Sequence, residues 1–143
     1  MRNKLTVEIS EGLGNQMFMY AHAYALAKRL NYDLFIDNIS GYSKNKNLLR
    51  KHQKFMLDNF CLEGYAVNND CIYNTRFKRF KKNVMILLDF FFKRKNFFIE
   101  KKYIKDSKKF AFDYLKLNPN KISNNLYVQG NFENSQYFEN YKN

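Results

Sequence analysis

The chain has 143 residues, of which 45% are hydrophobic and 18% are aromatic. This length and composition suffice for one domain with a hydrophobic core, and they exclude an intrinsically disordered chain. The formal charge of +12 is large for this size. It is compatible with three kinds of partner: nucleic acid, an anionic membrane surface or a phosphorylated small molecule.

The apolar runs and the cysteines of the chain bear on its cellular compartment. The first ten residues contain no apolar run of signal-peptide length, and the longest apolar run, from Val84 to Phe92, is much shorter than the ~20 residues of a membrane-spanning helix. We therefore expect a cytoplasmic location, either free or at the inner face of the membrane. Cys61 and Cys71 occur without a second cysteine pair or a histidine cluster, which predicts two reduced, buried thiols rather than a disulfide framework or a zinc site.

The first predicted element is a β-strand, because apolar residues alternate with polar ones from Leu5 to Ile9. A loop follows, and it contains Gly12 and Gly14, two of the five glycines in the chain. Glycine adopts positive φ angles without steric cost, so that backbone conformation is accessible at both positions.

A helix follows the loop. Asn15 is its predicted N-cap, and apolar residues recur at helical spacing beyond it. We expect His22 either on the polar side of this helix or as a core histidine. A short buried strand is predicted over Leu34 to Ile36, between Asp33 and Asp37, which we interpret as strand-end caps rather than as a general base. Strand, loop, helix and strand form a βαβ unit, whose crossover predicts two parallel strands.

The later elements have a less regular pattern. A short strand or helix is predicted over Phe55 to Phe60, before a turn at Gly64. The segment from Thr75 to Lys109 contains thirteen Lys and Arg and three acidic residues, a net charge of +10, and its period fits helices better than strands, which predicts an amphipathic helical excursion. The remaining predicted elements are a turn at Asn118 to Asn120, a strand over Leu126 to Val128 that ends at Gly130, and a short helix at Ser135 to Tyr141.

The loop between the first strand and its helix fits the requirements of an anion site. Such a loop leaves the carboxyl end of a parallel strand and directs backbone N–H groups toward a ligand, and the helix dipole favours negative charge there. Asn15 and Gln16 add side-chain donors and acceptors suited to phosphate or sugar hydroxyls. The alternative without a ligand is a tight turn followed by a capped helix.

Two other phosphate-binding motifs fit the loop less well. Gly12 and Gly14 match the first two glycines of the dinucleotide-binding fingerprint, but Met17 occupies the position of the third, where helix and strand must pack closely. The loop also lacks the lysine and the hydroxyl residue of a P-loop. Neither a dinucleotide-binding protein nor a nucleoside triphosphatase is therefore favoured.

The stretch GLGNQMFMYAHAYALAKRL, followed by DLFID, resembles the opening of the family 11 glycosyltransferases, the alpha-1,2-fucosyltransferases. The similarity is nearly continuous from Gly12 to Phe18, whereas Glu11 stands where the family usually has its first glycine. The segments KFMLDNF, from Lys54, and VQGNFENSQYF, from Val128, resemble two further blocks of the family.

The resemblance implies a GT-B-type architecture, in which this chain corresponds to the Rossmann-like amino-terminal half with a basic helical insertion. It implies transfer of fucose from GDP-fucose to the 2-hydroxyl of a galactose in a surface glycan, with inversion and with no cofactor or required metal. It places Gly12, Gly14, Asn15 and Gln16 in the substrate cleft, with Asn15 nearest the donor phosphate or fucose. It identifies no catalytic base.

The family's donor-site motif, His-x-Arg-Arg-Gly-Asp, does not occur in the 143 residues, and none of the six arginines is adjacent to another. Stabilising a nucleoside diphosphate as leaving group requires guanidinium groups or a metal. We therefore expect a truncated form of the enzyme with little or no transferase activity of its own.

A non-catalytic alternative is a basic peripheral protein that contacts an anionic membrane or a glycan through residues 75–109. A nucleic-acid partner is not favoured, because no recognisable RNA- or DNA-binding motif accompanies the basic and aromatic residues of that segment.

Overall fold

The computed structural model describes residues 3–43, 53–66, 71–92, 95–100 and 121–133. These residues form five strands, β1 (Lys4–Glu8), β2 (Asp33–Asp37), β3 (Tyr65–Ala66), β4 (Lys95–Ile99) and β5 (Ile122–Gln129). The strands make one sheet in the order β3-β2-β1-β5-β4, and each neighbouring pair is parallel. Two α-helices, α1 (Leu13–Leu30) and α2 (Arg76–Phe91), and one short 3₁₀ helix complete the described elements. The predicted α/β class and the parallel pairing of β1 with β2 are confirmed.

The hydrophobic core lies between α1 and one face of the sheet. Leu5 and Val7 of β1 are fully buried there, and Leu26 of α1 belongs to the same cluster. The buried side of α1 includes the polar residues Gln16 and His22, which have no exposed surface, whereas the apolar Met17 is 51% exposed. The further core members are Ile9, Met19, Ala23, Ala27, Leu30, Leu34, Ile36, Leu57, Ile122, Leu126, Val128 and Phe132.

The other face of the sheet carries a buried polar network that α2 covers. The Nζ atom of Lys82 lies 3.1 Å from Glu8 Oε2 and 2.8 Å from Gln129 Oε1. The Tyr127 hydroxyl lies 3.0 Å from Glu8 Oε2 and 2.7 Å from Asp37 Oδ2. Burial and the nearby carboxylates of Glu8 and Asp37 raise the pKa of Tyr127, so its hydroxyl stays protonated and able to donate. The network thus joins α2 to the three central strands.

The helix predicted for the segment from Thr75 to Lys109 is present as α2, but the segment also supplies the strand β4, which corrects the prediction of a helical insertion. α2 ends at Phe91, and β4 forms an edge strand of the sheet. The Asp89 carboxylate accepts hydrogen bonds from the backbone N–H groups of Asn96 and Phe97, at 2.6 and 2.9 Å, and so directs the chain from the helix into β4. Residues 101–109 lie outside the described residues.

Other predictions have mixed outcomes. A short 3₁₀ helix, Leu57–Asn59, lies where a short strand or helix was expected. The cysteines are not in disulfides, but Cys61 is exposed and Cys71 is half-buried, so the prediction of buried thiols is wrong. The predicted turn at 118–120 and the predicted helix at 135–141 lie outside the described residues. Neither α1 nor α2 combines the length and apolarity that crossing a bilayer requires.

Replacing Lys82 by Met is expected to lower the free energy of unfolding by about 3–5 kcal/mol, because Glu8 would remain buried without its cation. Urea denaturation followed by circular dichroism measures this loss. Lys81→Met is the matched control, since Lys81 is exposed on the same helix and its replacement should change stability by less than about 0.5 kcal/mol. Equal stability of the two variants would contradict a structural role for the ion pair.

Candidate functional site

The sheet has a topological switch point between β1 and β5. From β1 the chain proceeds to β2 and β3 on one side, whereas β5 and β4 lie on the other side. In open parallel sheets, ligands bind outside the carboxyl ends of the strands at such a point. The candidate site therefore comprises the loop 9–12 after β1, the first turn of α1 and the loop 130–133 after β5.

The first turn of α1 begins three residues earlier than predicted. Its N-cap is Gly12, with φ −81° and ψ 170°, so Asn15 lies inside the first turn and is not the N-cap. Neither Gly12 nor Gly14 uses the positive φ that glycine permits, and the residue with left-handed φ in this loop is Glu11, at 64°. No side chain caps the helix. Its first N–H groups have no acceptor within the helix, as in any α-helix, and face the candidate site.

The fold itself does not require glycine at Gly12 or Gly14. A Cβ atom added at either position would meet no atom within 4 Å, whereas at Gly41 it would lie 2.3 Å from the Ile9 carbonyl oxygen. Gly14 is also exposed. The space next to the first turn is therefore open, and a ligand can approach the backbone there more closely than a side chain would allow.

Gln16 is fully buried and connects this loop to a distant segment. Its Nε2 atom donates to the carbonyl oxygens of Glu11 and Lys54, each at 2.9 Å, and its Oε1 atom accepts from the backbone N–H of Met56 at 2.9 Å. We expected Gln16 to line the cleft. The structure instead uses its amide to hold the shape of the loop.

Glu11 combines a left-handed backbone with a carboxylate beside the helix N-terminus. A φ of 64° favours glycine and costs other residues about 1–2 kcal/mol. The carboxylate accepts a hydrogen bond from the side-chain amide of Asn15, which is half-buried. A negative side chain at this position interacts favourably with the helix dipole, and it competes there with an anionic ligand.

The loop after β5 is held by Glu100, a residue that the sequence analysis did not select. Its Oε2 atom accepts from the backbone N–H groups of Asn131 at 2.8 Å and Phe132 at 2.9 Å. A Cβ at Gly130 would lie 2.4 Å from Glu100 Cβ, so glycine is required there. The feature of the sequence that could have indicated Glu100 is its charge, because it is one of three acidic residues in the segment from Thr75 to Lys109, which has thirteen basic ones.

His22 connects α1 to the same loop. Its ring centre lies 3.8 Å from that of Phe132, with the rings stacked, and both residues are fully buried. Burial, and to a lesser extent the charge of Arg29, lowers the pKa of His22 from 6.5 to about 3. The imidazole is therefore neutral at physiological pH, which fits the expectation of a core histidine.

The two aspartates of β2 have different environments, and neither faces the open side of the loop. Asp37 is fully buried, and its Oδ1 atom accepts from the backbone N–H groups of Ile39 at 3.1 Å and Ser40 at 2.9 Å, as expected for a strand-end cap. Asp33 lines a pocket of about 340 Å³ together with Lys28. That pocket lies at the amino end of β2 and does not coincide with the candidate site.

Comparisons of the chain with protein-family models, with curated proteins and with solved structures find no match. Within the described ranges, no group of three or more His, Cys, Asp or Glu residues is arranged to hold a metal ion. The features of the chain that bear on function are therefore the loop residues, their placement and the resemblance of their sequence.

The stability of the protein should fall as the pH drops below about 6.5, because of His22. The unfolded chain protonates this histidine near pH 6.5, whereas the folded chain protonates it near pH 3. Between these values the folded state therefore loses up to about 1.4 kcal/mol per pH unit, and about 2 kcal/mol by pH 5. Urea unfolding at pH 7.5 and pH 5 measures the change.

The His22→Leu variant isolates this contribution. Its loss of stability between the two pH values should be about 2 kcal/mol smaller than that of the unmodified protein. His52→Leu, which removes the other histidine of the chain, is the control. A pH dependence that is the same in both variants would contradict the assignment to His22.

Proposed function

We propose that this chain is the Rossmann-like amino-terminal half of a GT-B-type alpha-1,2-fucosyltransferase. Its glycine loop would face GDP-fucose, and the acceptor would be a galactose in a surface glycan. One observation carries the proposal: Gly12 and Gly14 leave the first turn of α1 open at the carboxyl end of β1, although the fold needs glycine at neither position. A sugar nucleotide contains a diphosphate, for which a helix N-terminus supplies N–H donors and a favourable dipole.

The convergence of three segments supports the proposal. Gln16 belongs to the first segment that resembles the fucosyltransferases, and it hydrogen-bonds to Lys54 and Met56 in the second. Phe132 belongs to the third segment and stacks on His22 in the first. The segments are far apart in sequence but meet beside the carboxyl ends of β1 and β5. A shared site explains why all three lie there, whereas a tight turn with a capped helix concerns the first segment alone.

The described residues supply binding and orientation in the proposed reaction. The acceptor 2-hydroxyl would give its proton to a general base and attack the anomeric carbon of fucose from the face opposite GDP, so that GDP leaves with the electron pair of the broken carbon–oxygen bond and the configuration inverts. The N–H groups of the first turn and the Asn15 amide would bind the diphosphate or the fucose, with Gln16 holding the loop. Asp37 is a poor candidate for the base, because it is buried and accepts hydrogen bonds from Ile39, Ser40 and Tyr127.

The chain alone is expected to bind GDP-fucose and to turn it over slowly or not at all. Saturation-transfer NMR measures binding, and a coupled GDP-release assay with galactosyl acceptors measures turnover. Gly14→Ala should weaken binding by roughly tenfold, since a methyl group would occupy the space of the ligand, while stability rises by about 0.5–1 kcal/mol because alanine favours helix.

The contrasting variant is Gly130→Ala, which should destabilise the chain because its Cβ would clash with Glu100. Undiminished GDP-fucose binding by folded Gly14→Ala, or absence of binding by the unmodified chain, would refute the proposed role of the loop. Turnover at the rate of a full-length fucosyltransferase would show that the expectation of inactivity is wrong.

The charge of Glu11 should reduce the affinity of the loop for GDP. Glu11→Gln is expected to strengthen GDP binding about fivefold at low ionic strength, and by less in 0.5 M salt, because it removes a negative charge next to the phosphate position. Glu63→Gln is the matched control, since Glu63 is exposed and pairs with Lys28 at the opposite end of α1. Titration calorimetry measures both affinities. Equal GDP affinities of the two variants would indicate that the phosphates of GDP do not bind next to Glu11.

A further inference from the structure

α2 turns several polar side chains toward the sheet, together with the half-buried Met85 and Ile86, and leaves most of its apolar side chains exposed. Lys82 is the one residue of the sixteen in α2 that is buried, and Asp89 accepts hydrogen bonds from the start of β4. Arg79 donates to the carbonyl oxygens of Tyr73, Asn74 and Ser43. A surface helix of a globular protein normally has the reverse arrangement, with its apolar stripe facing the core.

The outward side chains of α2 form a continuous apolar stripe. They recur at intervals of three and four residues, so they lie along one side of the helix, and from first to last they extend over about 21 Å. Each is between 39% and 77% exposed. We call this set the α2 stripe: Phe77, Phe80, Val84, Leu87, Leu88 and Phe91.

Basic residues border the α2 stripe on both sides. At 3.6 residues per turn, Arg76 lies next to one edge of the stripe and Lys81 next to the other, and both residues are exposed. The helix contains five basic residues and one acidic residue, and Lys93, Arg94 and Lys95 follow it in sequence. An aromatic apolar face with basic residues alongside is typical of helices that lie in the plane of a membrane surface.

We propose that the α2 stripe binds the surface of an anionic lipid bilayer. The helix would lie parallel to the membrane plane, with its phenylalanines at the boundary of headgroups and acyl chains and with Arg76 and Lys81 at the lipid phosphates. Charge complementarity selects this partner over a second copy of the chain, because two α2 stripes in contact would bring positively charged borders together. The inference is independent of the fucosyltransferase proposal.

Vesicle sedimentation with the full chain tests the inference. Vesicles of phosphatidylcholine with 30% phosphatidylserine should retain the protein in 50 mM salt and release it in 500 mM salt, and pure phosphatidylcholine should bind it weakly. Phe80→Ser with Leu87→Ser should reduce binding by roughly tenfold or more, because apolar surface is lost. Arg76→Gln with Lys81→Gln should reduce it by roughly 25-fold, at about fivefold per charge.

Two double variants control for composition and net charge. Ile39→Ser with Phe60→Ser removes exposed apolar side chains elsewhere, and Lys4→Gln with Lys121→Gln removes two exposed charges elsewhere; both should retain binding. Equal losses in the stripe and control variants would overturn the inference. The inference would also be overturned if the unmodified chain did not bind vesicles but formed a dimer that the Phe80→Ser, Leu87→Ser variant cannot form. A fall in the melting temperature of that variant would overturn it too, because it would indicate that the chain itself covers the stripe.

Discussion

The buried ion pair between Lys82 and Glu8 determines which side of α2 faces the sheet. An unpaired charge in this layer would cost several kcal/mol, so any rotation of the helix that removed Lys82 would leave Glu8 uncompensated. The pair therefore keeps the side of α2 that carries Lys82 inward and the α2 stripe outward. Because side chains of a strand alternate between the two faces of the sheet, Glu8 points to one face and Leu5 and Val7 point to the other. β1 thus separates a hydrophobic layer under α1 from a polar layer under α2.

Buried polar side chains also fix both loops at the switch point. Gln16 satisfies backbone groups on two segments beside β1, and Glu100 accepts two backbone hydrogen bonds beside β5. Each connection satisfies groups that would be costly to bury alone, and each restricts the conformations of its loop. The first turn of α1 is consequently a preorganised surface. For an anionic ligand, Glu11 is the residue of this surface that opposes binding.

Regular periodicity made the first part of the fold predictable from sequence. The alternation around Val7 and the glycines before α1 predicted a strand, a loop and a helix within a few residues of their observed bounds. The start of α1 was misplaced, since it depends on the left-handed Glu11, which no propensity indicates. β4 was missed because a short apolar run such as KNFFI has no decisive period, and its strand conformation depends on pairing with β5. Gln16 was expected to line the cleft, and its burial could not be predicted because its partners Lys54 and Met56 are distant in sequence.

The central position of β1 has a consequence for the order of folding. Leu5 pairs with Leu34 on one side and with Leu126 on the other. During synthesis, one edge of this strand therefore stays without its neighbour until β5 leaves the ribosome, and closing so long a loop is slow. Until then the apolar face of β1 depends on α1 for shielding. The nascent chain is thus most vulnerable to aggregation along the strand that later becomes the centre of the sheet.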